Sequence, residues 1–122
     1  MSGKKILLCV SGGISAYKAI DLASQLSKQG FEVKCVLTEN AMKFVTPINF
    51  SAITHNSVHT SLFSDIDPIP HITLSTWADL IVVAPATANI IGKAATGIAD
   101  DLLSTILVAY IVPVLFLPAM NV

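Results

Sequence analysis

Four short polar segments that could bind or transform a small molecule each follow an apolar run of the chain. They are Ser11-Gly12-Gly13, Thr38, residues 85–89 (PATAN) and residues 118–121 (PAMN). Because these segments carry no cluster of acids, a metal centre is not expected. At the start of a helix, backbone N–H groups and the Ser11 hydroxyl can hold an anion. The first segment therefore predicts a phosphate site.

Several known phosphate-binding motifs are missing from the sequence, and their absence limits the kinds of phosphate ligand that we expect. Only two glycines stand in the first segment, no G-x-G-x-x-G follows, and the P-loop lysine pattern is missing. No acidic residue closes the second strand, although Glu39 lies one residue beyond Thr38. These observations favour a mononucleotide or another phosphate over NAD. A tight turn that requires glycine and binds nothing explains the segment equally well.

Two further residues are of types that could act on a substrate. A neutral imidazole near pH 7 at His71 could accept or hold a proton. The Asn121 amide could donate to a carboxylate and accept from an N–H. From position alone, a loop histidine without a role and a turn asparagine are the simpler interpretations. Asp100-Asp101 is typical of acids that cap a helix.

Strand-like and helix-like segments alternate along the chain, which predicts an α/β fold with a parallel sheet and right-handed crossovers. The predicted strands are residues 5–10, 31–37, 80–84 and 112–117, and the longer predicted helices are residues 14–28, 89–95 and 100–110. Shorter helical turns are expected in 39–44 and 48–53, and a surface loop with room for one short strand in 55–70. In such sheets ligands bind at the carboxyl ends of the strands, where all four polar segments lie.

The composition predicts one domain with a wide buried sheet and with subunit interfaces. Of 122 residues, 53% are apolar and 12% are charged, and the net charge is −1. Lys and Arg form no run, which argues against nucleic acid and anionic membranes as partners. Residues 102–117 are almost wholly apolar but fall short of a membrane span, and Pro113 interrupts them, so we expect a buried helix and then a buried strand.

Three further predictions concern the cysteines and the tryptophan, the N-terminus and the end of the chain. We expect Cys9 and Cys35 to be buried, reduced thiols of a cytoplasmic protein, and Trp77 to be a core residue. The N-terminus has no signal-peptide pattern. Because the chain stops directly after a strand-end segment, we expect further residues to pack beyond Val122.

Four motifs, in this order and spacing, resemble those of the homo-oligomeric flavin-containing cysteine decarboxylases. They are residues 11–18 (SGGISAYK), residues 71–79 (HITLSTWAD), residues 85–89 with 97–105, and residues 118–121. The resemblance runs from about Lys4 to the last residue. It implies a flavodoxin-like (Rossmann-like) doubly wound parallel sheet in three layers, formed by a single FMN-binding domain over residues 1–122 that lacks its C-terminal part. It also implies a homotrimer or homododecamer.

The same resemblance implies roles for individual residues. Ser11, Gly12, Gly13 and Thr38 would hold the phosphate and ribityl region of FMN. His71 would act in oxidation of the substrate cysteine, and Asn121 would bind the substrate carboxylate. The residues that would line the flavin are Thr87, Ala88, Asn89 and Ala119. The implied reaction is FMN-dependent decarboxylation of 4'-phosphopantothenoylcysteine to 4'-phosphopantetheine in coenzyme A biosynthesis.

Three alternatives remain open within this group of flavoproteins. They are a peptidyl-cysteine decarboxylase, a prenyltransferase-type flavoprotein acting on an aromatic acid, and a non-catalytic regulatory relative. His71 argues against the prenyltransferase. The second half of the P-x-M-N-x-x-M-W motif and the later flap cysteine of the family are missing from residues 1–122, which keeps the regulatory alternative and leaves turnover by this chain open.

Overall fold

The computed structural model describes residues 3–60, 70–109 and 112–118, with the backbone alone at a few positions such as Pro70 and His71. Within these residues lie five strands and five α-helices, which alternate except that the last two helices follow each other directly. The strands are β1 (Lys5–Val10), β2 (Glu32–Leu37), β3 (Val58–His59), β4 (Leu80–Ala86) and β5 (Val114–Pro118). The helices are α1 (Tyr17–Lys28), α2 (Pro47–Thr54), α3 (Pro70–Trp77), α4 (Ala88–Thr96) and α5 (Leu102–Ala109). Single 3₁₀ turns lie at Ile14–Ala16, directly before α1, and at Ala41–Lys43.

All strand pairs are parallel, in the order β3-β2-β1-β4-β5. Without the two-residue strand β3, the four long strands follow the order of the first four strands of flavodoxin. The chain builds the sheet outward from β1 to β2 and β3 and then crosses to β4 and β5 on the other side. The point where the direction of winding reverses is therefore the gap between β1 and β4. The predicted doubly wound, flavodoxin-like fold is confirmed.

The apolar residues of β1 alternate between the two faces of the sheet, as the two-residue period of a strand requires. Ile6, Leu8 and Val10 pack with buried residues of α1 and α2. Leu7 and Cys9 pack with buried residues of α3, α4 and α5. Both faces are thus covered by helices, which gives the three layers and explains why β1 is apolar along its whole length.

Most predicted elements are present with shifted ends. Strand β4 continues through Pro85 and Ala86, two residues beyond its predicted end. The predicted loop 55–70 contains the short strand β3. The turn expected in 48–53 is the full helix α2, because Pro47 fits its first position and Thr46 caps it, with the Thr46 N–H donating to Asn49 Oδ1 over 2.9 Å.

The prediction for residues 102–117 is confirmed for the helix and wrong for the strand. Helix α5 buries Leu103 and Ile106 completely or nearly so, whereas Leu115 and Leu117 in β5 are 49% and 37% exposed. The two leucines are exposed because β5 is an edge strand that pairs with β4 alone, and no helix of the described residues packs over them. In the part of the chain that the structure describes, no helix is long and apolar enough to cross a membrane.

The two cysteines are free and buried, as predicted. Cys9 lies in the apolar cluster on the α3–α5 side of the sheet, and Cys35 lies in the cluster on the α1–α2 side. Burial raises the pKa of the Cys35 thiol to about 12. Burial also raises the pKa of Cys9, with a smaller contribution from Cys35. Neither residue lines the cleft described below.

Candidate functional site

An open cleft of about 360 Å³ lies above the carboxyl ends of β1, β2 and β4, at the point where the winding of the sheet reverses. This is the position at which doubly wound folds bind ligands. Three of the four polar segments predicted from the sequence meet there. The cleft is lined by Ser11, Gly12, Thr38, Glu39, Asn40, Thr87, Asn89, Ile90, Lys93, Asp100 and Asp101.

Ser11 joins the two strands that flank the reversal point. Its side chain is buried, and its Oγ donates a hydrogen bond to the carbonyl oxygen of Pro85 in β4. The hydroxyl proton is therefore used within the protein. Ser11 holds the ends of β1 and β4 together, and donors to a bound anion must come from neighbouring groups.

Gly12 allows two loops to approach each other closely. A Cβ at this position would lie 2.5 Å from Cβ of Asn40 and 3.0 Å from its backbone carbonyl carbon. Both distances are far shorter than a normal carbon–carbon contact. Only glycine lets the loop after β1 lie against the loop after β2, so this residue sets the spacing of two cleft walls.

The start of the first helix offers unused hydrogen-bond donors. The backbone N–H groups of Gly12 and Gly13 have no acceptor among the described residues. They precede the 3₁₀ turn and α1, whose dipole favours an anion at this end. Nearby, Thr38 Oγ1 accepts from the Ala41 N–H over 3.0 Å, which leaves its own proton free to donate.

Helix α4 forms the opposite wall. Thr87 caps it, and its Oγ1 accepts from the Ile90 N–H over 3.4 Å. The side chains of Asn89 and Lys93, four residues apart, lie on the same face of the helix and line the cleft. The amide of Asn89 is exposed and has no partner within the described residues. This wall therefore presents a hydroxyl, an amide and an ammonium group to a ligand.

An ion pair connects α4 to the loop that follows it. Lys93 Nζ lies 2.8 Å from Asp100 Oδ1. The hydrogen bond between the two groups raises the pKa of Lys93 and lowers the pKa of Asp100. Both groups are consequently ionised across the neutral range.

The capping role predicted for Asp100-Asp101 is confirmed for Asp101 and wrong for Asp100. Asp101 Oδ1 accepts from the backbone N–H of Ser104 over 2.8 Å, at the start of α5. The buried Ser104 Oγ accepts in return from the Asp101 N–H over 3.0 Å and donates to Asp101 Oδ1 over 2.6 Å. Asp100 instead turns toward Lys93, because the loop after α4 brings it back over that helix.

The other predicted site residues are placed as follows. Gly13 and Ala88 adjoin lining residues in the chain without lining the cleft themselves. Ala119 and Asn121 lie outside the described residues. The backbone of His71 is in the first turn of α3, and its side chain is not described.

Helix α3 is oriented so that its first turn points toward the edge of the sheet that holds the cleft. Just after its end, the Asp79 N–H donates to the Lys5 carbonyl over 2.8 Å, and Asp79 Oδ2 accepts from the Lys5 N–H over 2.9 Å. Lys5 is the first residue of β1, so α3 ends at the amino edge of the sheet. Its start, with His71, consequently lies toward the carboxyl edge.

Sequence reasoning did not single out Asn40, Ile90 or Lys93 as site residues. Asn40 contacts Gly12 across two loops that are far apart in the chain, so no local sequence pattern marks it as a site residue. For Lys93 a signal existed, because it follows Asn89 at four-residue spacing in a predicted helix. Ile90 follows Asn89 directly, and that spacing does not place the two side chains on one face of a helix.

The whole chain, residues 1–122, matches the model of a family described as Flavoprotein. The chain belongs to the Flavoprotein family. It is 52% identical over 124 residues to the coenzyme A biosynthesis bifunctional protein CoaBC of Bacillus subtilis, and this match covers 100% of the chain and 30% of that protein. With CoaBC of Escherichia coli it shares 46% identity, over 99% of the chain and 30% of that protein. The chain therefore spans about a third of the length of these relatives.

Two solved structures extend the likeness to the fold. The FMN-dependent cysteine decarboxylase TvaF from thioviridamide biosynthesis is 33% identical, with a TM-score of 0.91 over 98% of this chain and 75% of that chain. A PPC decarboxylase mutant complexed with pantothenoylaminoethenethiol is 32% identical, with a TM-score of 0.80 over 97% of this chain and 71% of that chain. Both likenesses agree with the resemblance drawn from the four sequence motifs.

Proposed function

We propose that this chain is an FMN-binding domain that decarboxylates 4'-phosphopantothenoylcysteine to 4'-phosphopantetheine in coenzyme A biosynthesis. The observation that carries the proposal is the cleft at the reversal point, which gathers the predicted FMN-binding residues Ser11, Gly12, Thr38, Thr87 and Asn89 in one place. The identity to CoaBC proteins and the likeness to a PPC decarboxylase support the choice of substrate.

The residues present fit FMN. A phosphate at the start of α1 would accept hydrogen bonds from the N–H groups of Gly12 and Gly13 and from the hydroxyl of Thr38, none of which donates to another of the described residues. The cleft volume of about 360 Å³ lies within the range of small-molecule sites. Thr87 and Asn89 offer polar groups to the ribityl chain and ring. A flavin bound here would supply a two-electron acceptor and donor.

His71 and Asn121 have separate roles in the proposal. The start of α3 faces the same edge of the sheet as the cleft, which supports His71 as the group that takes the proton from the substrate cysteine. The Asn121 amide would hold the substrate carboxylate and orient it for loss of CO₂. Neither role depends on an ionised side chain that would repel the anionic substrate.

The assembly we propose is a homotrimer or homododecamer in the cytoplasm. Large apolar side chains in the 3₁₀ turn before α1 and on the edge strand β5 support subunit contacts, since Ile14 is 74% exposed and Leu115 is 49% exposed. Sedimentation analysis of the purified protein would measure the subunit number.

Two measurements test the function. The protein should purify yellow, release FMN on denaturation, and evolve CO₂ from 4'-phosphopantothenoylcysteine. The variant His71→Asn should retain FMN, because no residue assigned to the phosphate changes, and should lose CO₂ release. A colourless protein that cannot be reconstituted with FMN would refute the flavin site, and unchanged turnover in His71→Asn would refute the catalytic role of His71.

A further inference from the structure

Lys93 is the one cationic side chain among the described residues that line the cleft. The other ionisable lining groups are the carboxylates of Glu39, Asp100 and Asp101. A phosphate monoester brings between one and two further negative charges near neutral pH. The charge balance of the cleft therefore opposes a phosphorylated ligand unless the ammonium of Lys93 contributes.

The surrounding structure holds this ammonium in place. The Lys93 carbonyl accepts the Ile98 N–H over 2.9 Å and also the N–H of Gly97, whose φ of 75° ends α4 and reverses the chain. This reversal brings Asp100 back to within 2.8 Å of Lys93 Nζ. The Lys93 side chain is only 19% exposed, so little side-chain freedom remains to be lost when a ligand binds.

Asp100 is the more exposed member of the pair. Its side chain is 59% exposed, and besides Lys93 it interacts with the Ser104 hydroxyl at 3.3 Å. The carboxylate thus orients the ammonium and at the same time offsets part of its charge. These two effects act in opposite directions on an anionic ligand, and this makes the role of the pair testable.

We propose that Lys93, oriented by Asp100, is the specificity residue that makes the cleft prefer a phosphorylated flavin to an unphosphorylated one. The inference rests on the proposed flavin site and adds a residue outside the predicted phosphate-binding segments. A group bound in a cleft of about 360 Å³ lies within roughly 10 Å of its walls, a distance at which salt does not fully screen the attraction. Riboflavin lacks the phosphate and should gain little from Lys93.

The test compares the dissociation constants of FMN and riboflavin, measured by quenching of flavin fluorescence. Lys93→Met should weaken FMN binding about tenfold, the scale of an ammonium–phosphate attraction in a partly solvated cleft, and riboflavin binding less than twofold. Lys93→Arg should retain the preference for FMN. Lys28→Met removes a lysine from the far end of α1 and should change neither constant.

The variant Asp100→Asn separates a ligand-directed lysine from a purely structural ion pair. If Lys93 acts on the phosphate, removal of the competing carboxylate should strengthen FMN binding about two- to threefold, opposite in sign to Lys93→Met. If the pair only ties α4 to its loop, both variants should weaken both flavins alike and lower the melting temperature together. That result would overturn the inference.

The outcomes distinguish this inference from the proposed function. Equal affinity of the wild-type protein for FMN and riboflavin would leave the flavin site intact and overturn the role of Lys93. Binding of neither flavin would overturn the flavin site, and the inference with it. A steeper fall of FMN affinity with added salt in the wild type than in Lys93→Met would support the inference.

Discussion

Replacing Gly12 by alanine is the most direct test of how the cleft is built. The new Cβ would lie 2.5 Å from Cβ of Asn40 and 3.3 Å from the backbone nitrogen of Ala41. Relief to an ordinary contact near 3.8 Å requires a movement of about 1.3 Å. Since backbone atoms of the second loop are involved, rotation of a flexible side chain cannot supply it.

The magnitude follows from the cost of overpacking a closely packed region, which is about 1–3 kcal/mol. We expect the free energy of unfolding of Gly12→Ala to fall by this amount, as measured by urea denaturation. We also expect FMN to bind about tenfold more weakly, because relief of the clash displaces the loop that carries the Gly12 and Gly13 N–H groups, and about 1.4 kcal/mol of lost contact energy corresponds to a tenfold change in affinity. Fluorescence quenching by the protein would give the dissociation constant.

Two variants serve as controls. In Gly13→Ala the new Cβ would meet Cγ2 of Thr87 at 3.7 Å, an ordinary contact, so the free energy of unfolding should change by less than about 0.5 kcal/mol. In the Gly12→Ala background, Asn40→Gly removes the atom of closest approach and should recover part of the lost stability. Wild-type stability and wild-type FMN affinity in Gly12→Ala would show that the two loops are not held by this contact.

Two further predictions concern stability. Ser104→Ala should lower the free energy of unfolding by about 1–3 kcal/mol in urea denaturation, since it removes a buried hydroxyl that accepts from the Asp101 N–H and donates to the Asp101 carboxylate. Thr96→Ala, which removes an exposed hydroxyl, is the matched control. An equal loss of stability in both variants would contradict the explanation. Burial raises the thiol pKa of Cys9 and Cys35 in the folded state, so their contribution to stability is complete well below pH 9.0, the ordinary thiol pKa at which the unfolded thiols are half ionised, and is lost as pH rises toward about 12. A double Cys→Ala variant with the same alkaline decline as the wild type would refute this.

The sequence alone predicted the class of fold and three of the loops that meet at the candidate cleft. Strands and helices alternate with clear periodicity, so the parallel sheet and its carboxyl edge follow without knowledge of any distant contact. The segments at Ser11–Gly13, Thr38 and residues 85–89 were predicted as binding loops, and all three contribute residues to one cleft. The roles of His71 and Asn121 remain predictions.

The exposure of β5 could not be predicted from its composition. Its run of apolar residues is typical of a strand covered on both faces, yet Leu115 and Leu117 are exposed because the strand lies at the sheet edge. Strand order results from pairing between segments that are distant in the chain, so a local sequence pattern cannot predict it.

The sequence by itself determined local features. These are the ends of the strands, the loops made of small and polar residues, and the cysteines that lie in apolar runs. Only the tertiary structure decided how these parts meet. Ser11 bonds to Pro85, 74 residues away in the chain, and Gly12 lies against Asn40 in another loop. Lys93 pairs with Asp100 because a left-handed turn at Gly97 reverses the chain. Each of these contacts depends on the three-dimensional path of the backbone, which periodicity and composition do not encode.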